Sequence, residues 1–247
     1  MYDPKQYWND KAEKFADDPL SASRASDPEL NHCIGAVQRQ ALDLAVRAMP
    51  KQHVSDLLDF GCGAGVWTER FEGLADRYTG VDISEGMIDL CRKQYPDKEF
   101  LSYDGATLPF EDARFDAIFS LAVLHHNRHP EQEGLLDELS RCLKPGGFLF
   151  LFEGVGPEPV AREFPRTRGD WLETVSRHGF DVVSHRHYVY MPIIAMVDRM
   201  ESLIGWRPSF EWRLSRLDAR LAPRLSAMPL IRSRKIGRMA MCAMKRT

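Results

Sequence analysis

From about residue 54 onward, short apolar runs alternate with stretches of helical period, and this alternation sets the expected fold. Val54–Phe60 reads as a first strand, Gly65–Leu74 as a helix and Tyr78–Asp82 as a second strand. Ser84 is a natural N-cap for a helix over Glu85–Gln94. Glu99–Tyr103 and Phe115–Ser120 read as strands three and four. Pro130 opens a helix that runs to Leu143, Pro145-Gly146-Gly147 makes a turn, and Phe148–Glu153 is strand five. Thr167 and Asp170 fit a capping box for a helix stopped by Gly179, and Phe180–Tyr190 is strand six. Strands alternating with helices mean βαβ units, hence an α/β chain with a mostly parallel sheet covered on both faces.

The flanks have a different pattern. Pro4–Ala16 is helical, the turn-rich DDPLSASRASDPELN follows, and HCIGAVQRQALDLAVRAM sets Ile34, Val37, Ala41, Leu44 and Ala48 on one helical face before Pro50. After strand six, MPIIAMVDRMESLIGW and SFEWRLSRLDARLAPRL each read as an amphipathic helix, the second with Phe210, Leu214, Leu217 and Leu221 on one face and arginines around it. The expected divisions are an N-terminal helical cap over 1–50, a ligand-binding core over 51–190, a helical insertion over 191–236, and a last strand over 237–247.

Composition narrows the class. The chain is 44% hydrophobic and 28% charged, enough for a core and a solvated surface. No apolar run is long enough to span a bilayer, and the charged start MYDPKQYWNDKAEKF lacks the apolar region of a secretory signal. Five cysteines with no C-x-x-C pair argue against a disulfide framework or a zinc site; a reducing, cytoplasmic setting and no bound metal are expected. The net charge of −3 hides a basic end. From Gly205 onward, eleven Lys and Arg face only Glu211 and Asp218. A basic amphipathic segment over 205–236 can lie on an anionic bilayer or clamp an anionic acceptor, or it is simply a solvated face. Nucleic acid is not the expected partner, because no RNA-binding module is present and the rest of the chain is acidic.

The chemistry centres on LLDFGCGAGVWT. In open α/β sheets, ligands sit beyond the carboxyl ends of the strands. Gly61, Gly63 and Gly65 stand there after strand one, where a bare backbone lets a ligand approach. Asp82 ends strand two at the distance suited to a pair of ribose hydroxyls. Two adenosine ligands compete: a dinucleotide or S-adenosylmethionine. The dinucleotide fingerprint needs Gly or Ala where Val66 stands, and Asp59 before the glycines favours a cationic ammonium over a pyrophosphate.

These motifs make the chain resemble the class I S-adenosylmethionine-dependent methyltransferases. LLDFGCGAG looks like their first motif, GVDISEGMI their second, YDGATLPFEDARFDAIFS their third and fourth, and LKPGGFLFLFE their entry to strand five, over roughly Val54–Tyr190. The resemblance implies a Rossmann-like doubly wound sheet, mostly parallel with an antiparallel seventh strand at Gly237–Lys245, plus the helical caps. It implies that Asp59 and the loop Gly61-Cys62-Gly63 hold the methionyl end of S-adenosylmethionine. Asp82 would hold the ribose, Ile83 would pack on the adenine, Asp104 and the Gly105 backbone would meet its amino group, and Leu121 would border the sulfur. The activity implied is methyl transfer to a small-molecule, lipid or lipid-linked acceptor, most naturally at oxygen. A NAD(P)-dependent oxidoreductase and a binder without turnover are the alternatives.

In-line methyl transfer needs orientation, exclusion of water and, for a hydroxyl, a base. His125 and His126 in AVLHHNRHP follow strand four at the rim and are the candidate bases. The alternative is one packing histidine and one hydrogen bonder; His129 suits a helix cap. Glu153, ending strand five, is expected to face substrate at the same rim. Tyr7 and Trp8 are expected to close over the methionine end as part of an N-terminal lid, or else to pack on the sheet edge.

Overall fold

The computed structural model describes residues 2–23, 28–188, 190, 221 and 237–247. Three helices come first: α1 (Pro4–Lys14), α2 (Pro19–Ser23) and α3 (Pro28–Ala48). The core then runs β1 (Val54–Phe60), α4 (Thr68–Glu72), β2 (Ala75–Asp82), α5 (Glu85–Gln94), β3 (Glu99–Ser102) and β4 (Phe115–Leu121). A single 3₁₀ turn, Leu124–His126, leads to α6 (His129–Cys142), β5 (Leu143–Val155), α7 (Arg168–Arg177), β6 (Phe180–Tyr188) and β7 (Gly237–Lys245). The expected helices over 191–236 and their basic face lie outside the described residues, Leu221 apart.

Seven strands form one sheet in the order β3-β2-β1-β4-β5-β7-β6. The first five are mutually parallel, and β7 inserts antiparallel between β5 and β6. Strand order reverses at β1, between β2 and β4, which opens the crevice where ligands bind in such sheets. Consecutive residues of the central strands face opposite layers. Leu57, Phe119 and Phe150 pack with Val37 and Ala41 of α3 on one side. Leu58, Ile118 and Leu149 pack with Leu135 and Leu139 of α6 and with Trp171 of α7 on the other. All five cysteines are buried and free. No helix among the described residues is long and apolar enough to cross a membrane.

Local signals account for most boundaries. The Ser84 side chain accepts from Met87 N and starts α5; Thr167 and Asp170 form the reciprocal capping box of α7. Where the structure differs, a backbone reason is visible. The helix expected from Gly65 begins only at Thr68, because Gly65 takes φ +77, outside any right-handed helix. β2 starts three residues before the expected Tyr78, since Ala75 and Arg77 pair with Val54 and Asp56 and Arg77 forks onto the Asp56 carboxylate. β5 is longer than Phe148–Glu153 at both ends; the Pro145-Gly146-Gly147 turn lies inside it at a shift of register against β4. The α6 helix starts at His129, with Pro130 in its first turn.

Candidate active site

A cavity of about 360 Å³ opens beyond the carboxyl ends of β1, β2 and β4. Its floor is the glycine turn. Gly61, Gly63 and Gly65 all have positive φ. At Gly61 (φ +74) any Cβ would overlap the Val123 side chain, so this position admits only glycine. Cys62 lines the cavity between them. Asp82 is buried, and its two oxygens accept from Gly63 N and Ser84 N, each at 2.9 Å. Each oxygen keeps a second lone pair for a ligand hydroxyl. Asp59 is buried beside it and accepts from the Tyr78 hydroxyl at 3.0 Å. Burial raises the pKa of both acids, that of Asp59 to about 7.

Ile83 and Leu121 also line the cavity, as expected from the sequence. Asp104 and Gly105 do not. β3 ends at Ser102, and the exposed Asp104 closes its own turn by accepting from Ala106 N and Thr107 N at 2.8 Å. These bonds hold its pKa below the usual carboxylate range. Tyr103 lines the cavity instead, a residue that strand alternation alone did not single out.

The far wall comes from β4, β5 and β7. Ala122 follows β4 with φ +63, a strained conformation for a side-chain-bearing residue, and the chain then turns into Leu124–His126. His125 is fully buried, and its Nδ1 lies 2.5 Å from Glu153 Oε2. The Glu153 carboxylate also accepts from Leu124 N and His125 N at 3.1 Å. Gly154 N donates to the same Nδ1 at 3.1 Å, so this edge of the ring is engaged by both the carboxylate and the backbone, and Nε2 is the edge left over. That Nε2 is buried without a hydrogen-bond partner. Glu153 therefore does not face substrate at the rim. It lies fully buried behind His125, because β5 continues to Val155 and Glu153 points inward beneath the 3₁₀ turn. His126 lines the cavity as a neutral ring: burial, then the nearby His125, push its pKa down to about 3.

Glu163 and Arg238, neither singled out from the sequence, complete this wall. Arg238 of β7 donates through both terminal nitrogens to the two Glu163 oxygens at 3.1 and 2.9 Å. Burial works against the Glu163 charge, but the groups around it, Arg238 foremost, together hold its carboxyl below its usual range. Ligand atoms of His125, His126 and Glu163 lie within 4.8 Å of one another, close enough to suggest a metal cluster. The guanidinium already holds both Glu163 oxygens and would stand beside any bound cation, which favours an ion-paired wall over a metal cage.

α1 forms the roof. Tyr7 and Trp8 line the cavity, and Trp8 stands edge-on to the His126 ring at 5.4 Å. The Arg162 guanidinium lies 4.5 Å over Tyr7. On the other side Asn9 Oδ1 accepts from Ser84 Oγ at 2.7 Å and from Gly86 N at 3.2 Å, tying the roof to α5.

Residues 58–151 match a family model described as a methyltransferase domain. An O-methyltransferase of Penicillium expansum, cnsE, is 31% identical over 59% of this chain and 58% of its own length. A fatty-acid O-methyltransferase of Mycolicibacterium smegmatis is 30% identical over 58% of this chain and 54% of its own. The chain thus spans little more than half the length of these relatives. Among solved structures, a phosphoethanolamine N-methyltransferase of Haemonchus contortus in complex with S-adenosyl-L-methionine superposes with a TM-score of 0.59, at 16% identity, over 93% of this chain and 60% of that one. At that identity the likeness speaks for the fold.

Proposed function

We propose that this chain, whose core belongs to the class I S-adenosylmethionine-dependent methyltransferases, transfers the cofactor's methyl group to an oxygen of a small or amphipathic acceptor. One observation carries the reading. A single cavity joins a cradle of bare glycine backbone and two buried acids to a histidine braced by a buried carboxylate.

The residues present fit the cofactor. Gly61 and Gly63 present bare backbone to the cavity, and the Val123 side chain fills the side where a Gly61 Cβ would stand. Asp82 retains lone pairs for two ribose hydroxyls, and Asp59 offers a shielded negative charge to an ammonium. Ile83 and Tyr103 provide flat apolar walls for the base; Leu121 lies toward the β4 end. When bound, S-adenosylmethionine supplies a methyl group on a sulfonium, already activated for displacement. The protein's task is then to bind, orient and keep water out. Tyr7 and Trp8 exclude water from above. His125 Nε2 takes the acceptor hydroxyl's proton, and Glu153 is the positioning residue that fixes the ring and steadies the imidazolium formed. His126, held neutral, serves as wall and contact to Trp8. The oxygen preference is supported by the two relatives that are O-methyltransferases and by an imidazole Nε2 without a hydrogen-bond partner, which an amine acceptor would not require.

Calorimetry with S-adenosylhomocysteine tests the cofactor. Wild type is expected to bind it and not NADH, with Asp82→Ala weaker by about tenfold or more, or ~1.4 kcal/mol. Preference for NADH would sink the reading. His125→Ala is expected to lower kcat by roughly 10²–10⁴; a loss below tenfold would remove it as base.

A further inference from the structure

Among the described residues, two of the cavity wall hold buried polar atoms with no hydrogen-bond partner: His125, through Nε2, and Gln38, through Oε1. The first has a role in the reaction above. The second has none. Gln38 is 4% exposed and lies mid-way along α3. Leu30, Ile34 and Gln38 fall at four-residue spacing on one helical stripe, and all three line the cavity. An amide oxygen buried without a partner lowers stability, whereas an apolar side chain of similar shape would not.

Its place in the fold indicates what would satisfy it. α3 packs on β5 and β7, the strands that carry Glu153 and Arg238. The acids of the cofactor cradle stand on β1 and β2, across the reversal of strand order. We propose that Gln38 is an acceptor-recognition residue. Its Oε1 accepts from a second donor on the acceptor, a hydroxyl or an amide N–H, while the reacting oxygen lies at His125. The acceptor class is therefore an apolar body with two separated polar groups, and Leu30 and Ile34 pack on that body. This inference rests on the oxygen-methylation reading of the same cavity. A site that buries a hydrogen-bonding group rejects an analogue lacking the matching group, because the amide then stays unpaired.

Gln38→Met keeps the length of the side chain and removes its polar end. The variant is expected to melt no lower than wild type and to keep S-adenosylhomocysteine affinity within about threefold. With an acceptor found by turnover screening, kcat/KM is expected to fall by about tenfold or more, mostly through KM. A lower melting temperature would make the amide a structural member of α3 and overturn the proposal. S-adenosylhomocysteine affinity weakened by about tenfold would assign the donor to the cofactor's ammonium, overturning it equally. An unchanged kcat/KM would do the same. Failure of wild type to bind S-adenosylhomocysteine would sink the methyltransferase reading instead, and the melting comparison does not depend on it.

Discussion

Asp59 shows how one acid at a strand end acquires a working pH. Burial lifts its carboxyl to about 7, with the Tyr78 hydroxyl opposing and Asp82 adding to the lift. An unfolded aspartate titrates near ~3.9. Between those values the folded chain binds the proton more tightly than the unfolded one, so this group's contribution to stability falls as pH rises through that window. The same carboxyl must be ionised to attract an ammonium. S-adenosylhomocysteine affinity is therefore expected to rise with pH through about 7, and Asp59→Asn to bind weakly with a flat profile. Calorimetry across that range checks both; a flat wild-type profile would remove Asp59 from the ammonium site. This acid was legible in the sequence because it precedes the glycine turn on the same strand. Glu153 was misplaced on the rim for an equally local reason. A strand-ending acid looks exposed until the strand is seen to run on to Val155.

At the scale of elements, short-range signals decided caps and turns. Ser84 and the Thr167–Asp170 pair act on backbone N–H groups one turn away, so their helices start where the sequence places them. The late start of α4 needed the left-handed Gly65, which a helical pattern does not reveal. The lid reading of the N-terminal region rests on longer contacts. α1 spans from α5 on one side to His126 and Arg162 on the other. Its strut at α5 is Asn9, which meets both Ser84 Oγ and Gly86 N. Asn9→Ala is expected to speed S-adenosylhomocysteine dissociation by about tenfold in stopped-flow displacement, while the melting temperature changes by only a few degrees, as for a cap-sized loss of ~1 kcal/mol. An unchanged off-rate would make α1 a packed flank and not a lid.

For the whole molecule, the sheet order and its reversal at β1 bring residues from β1, β2 and β4 to one opening. The charge distribution is a separate matter. The net −3 combines an acidic body with a basic end, and most of that end lies outside the described residues. If the basic amphipathic segment docks on anionic bilayers, the full chain will sediment with phosphatidylserine-containing vesicles at low salt and be released as salt rises. A chain lacking residues 205–236 will stay in the supernatant. Equal sedimentation of both, or of neither, would leave the segment as a solvated or acceptor-facing one.

The sequence by itself determined the α/β class, the strands at the heart of the sheet, the glycine turn, and the acids near the carboxyl ends of β1 and β2. Each is written within a single turn or strand, where period, cap and spacing act directly on the backbone. Only the tertiary structure decided which side chains meet. His125 finds Glu153 28 residues away, and Arg238 finds Glu163 across 75. Gln38 reaches the cavity because α3 folds back onto β5 and β7. No periodicity links such positions, since their proximity is set by the packing of helices on a finished sheet.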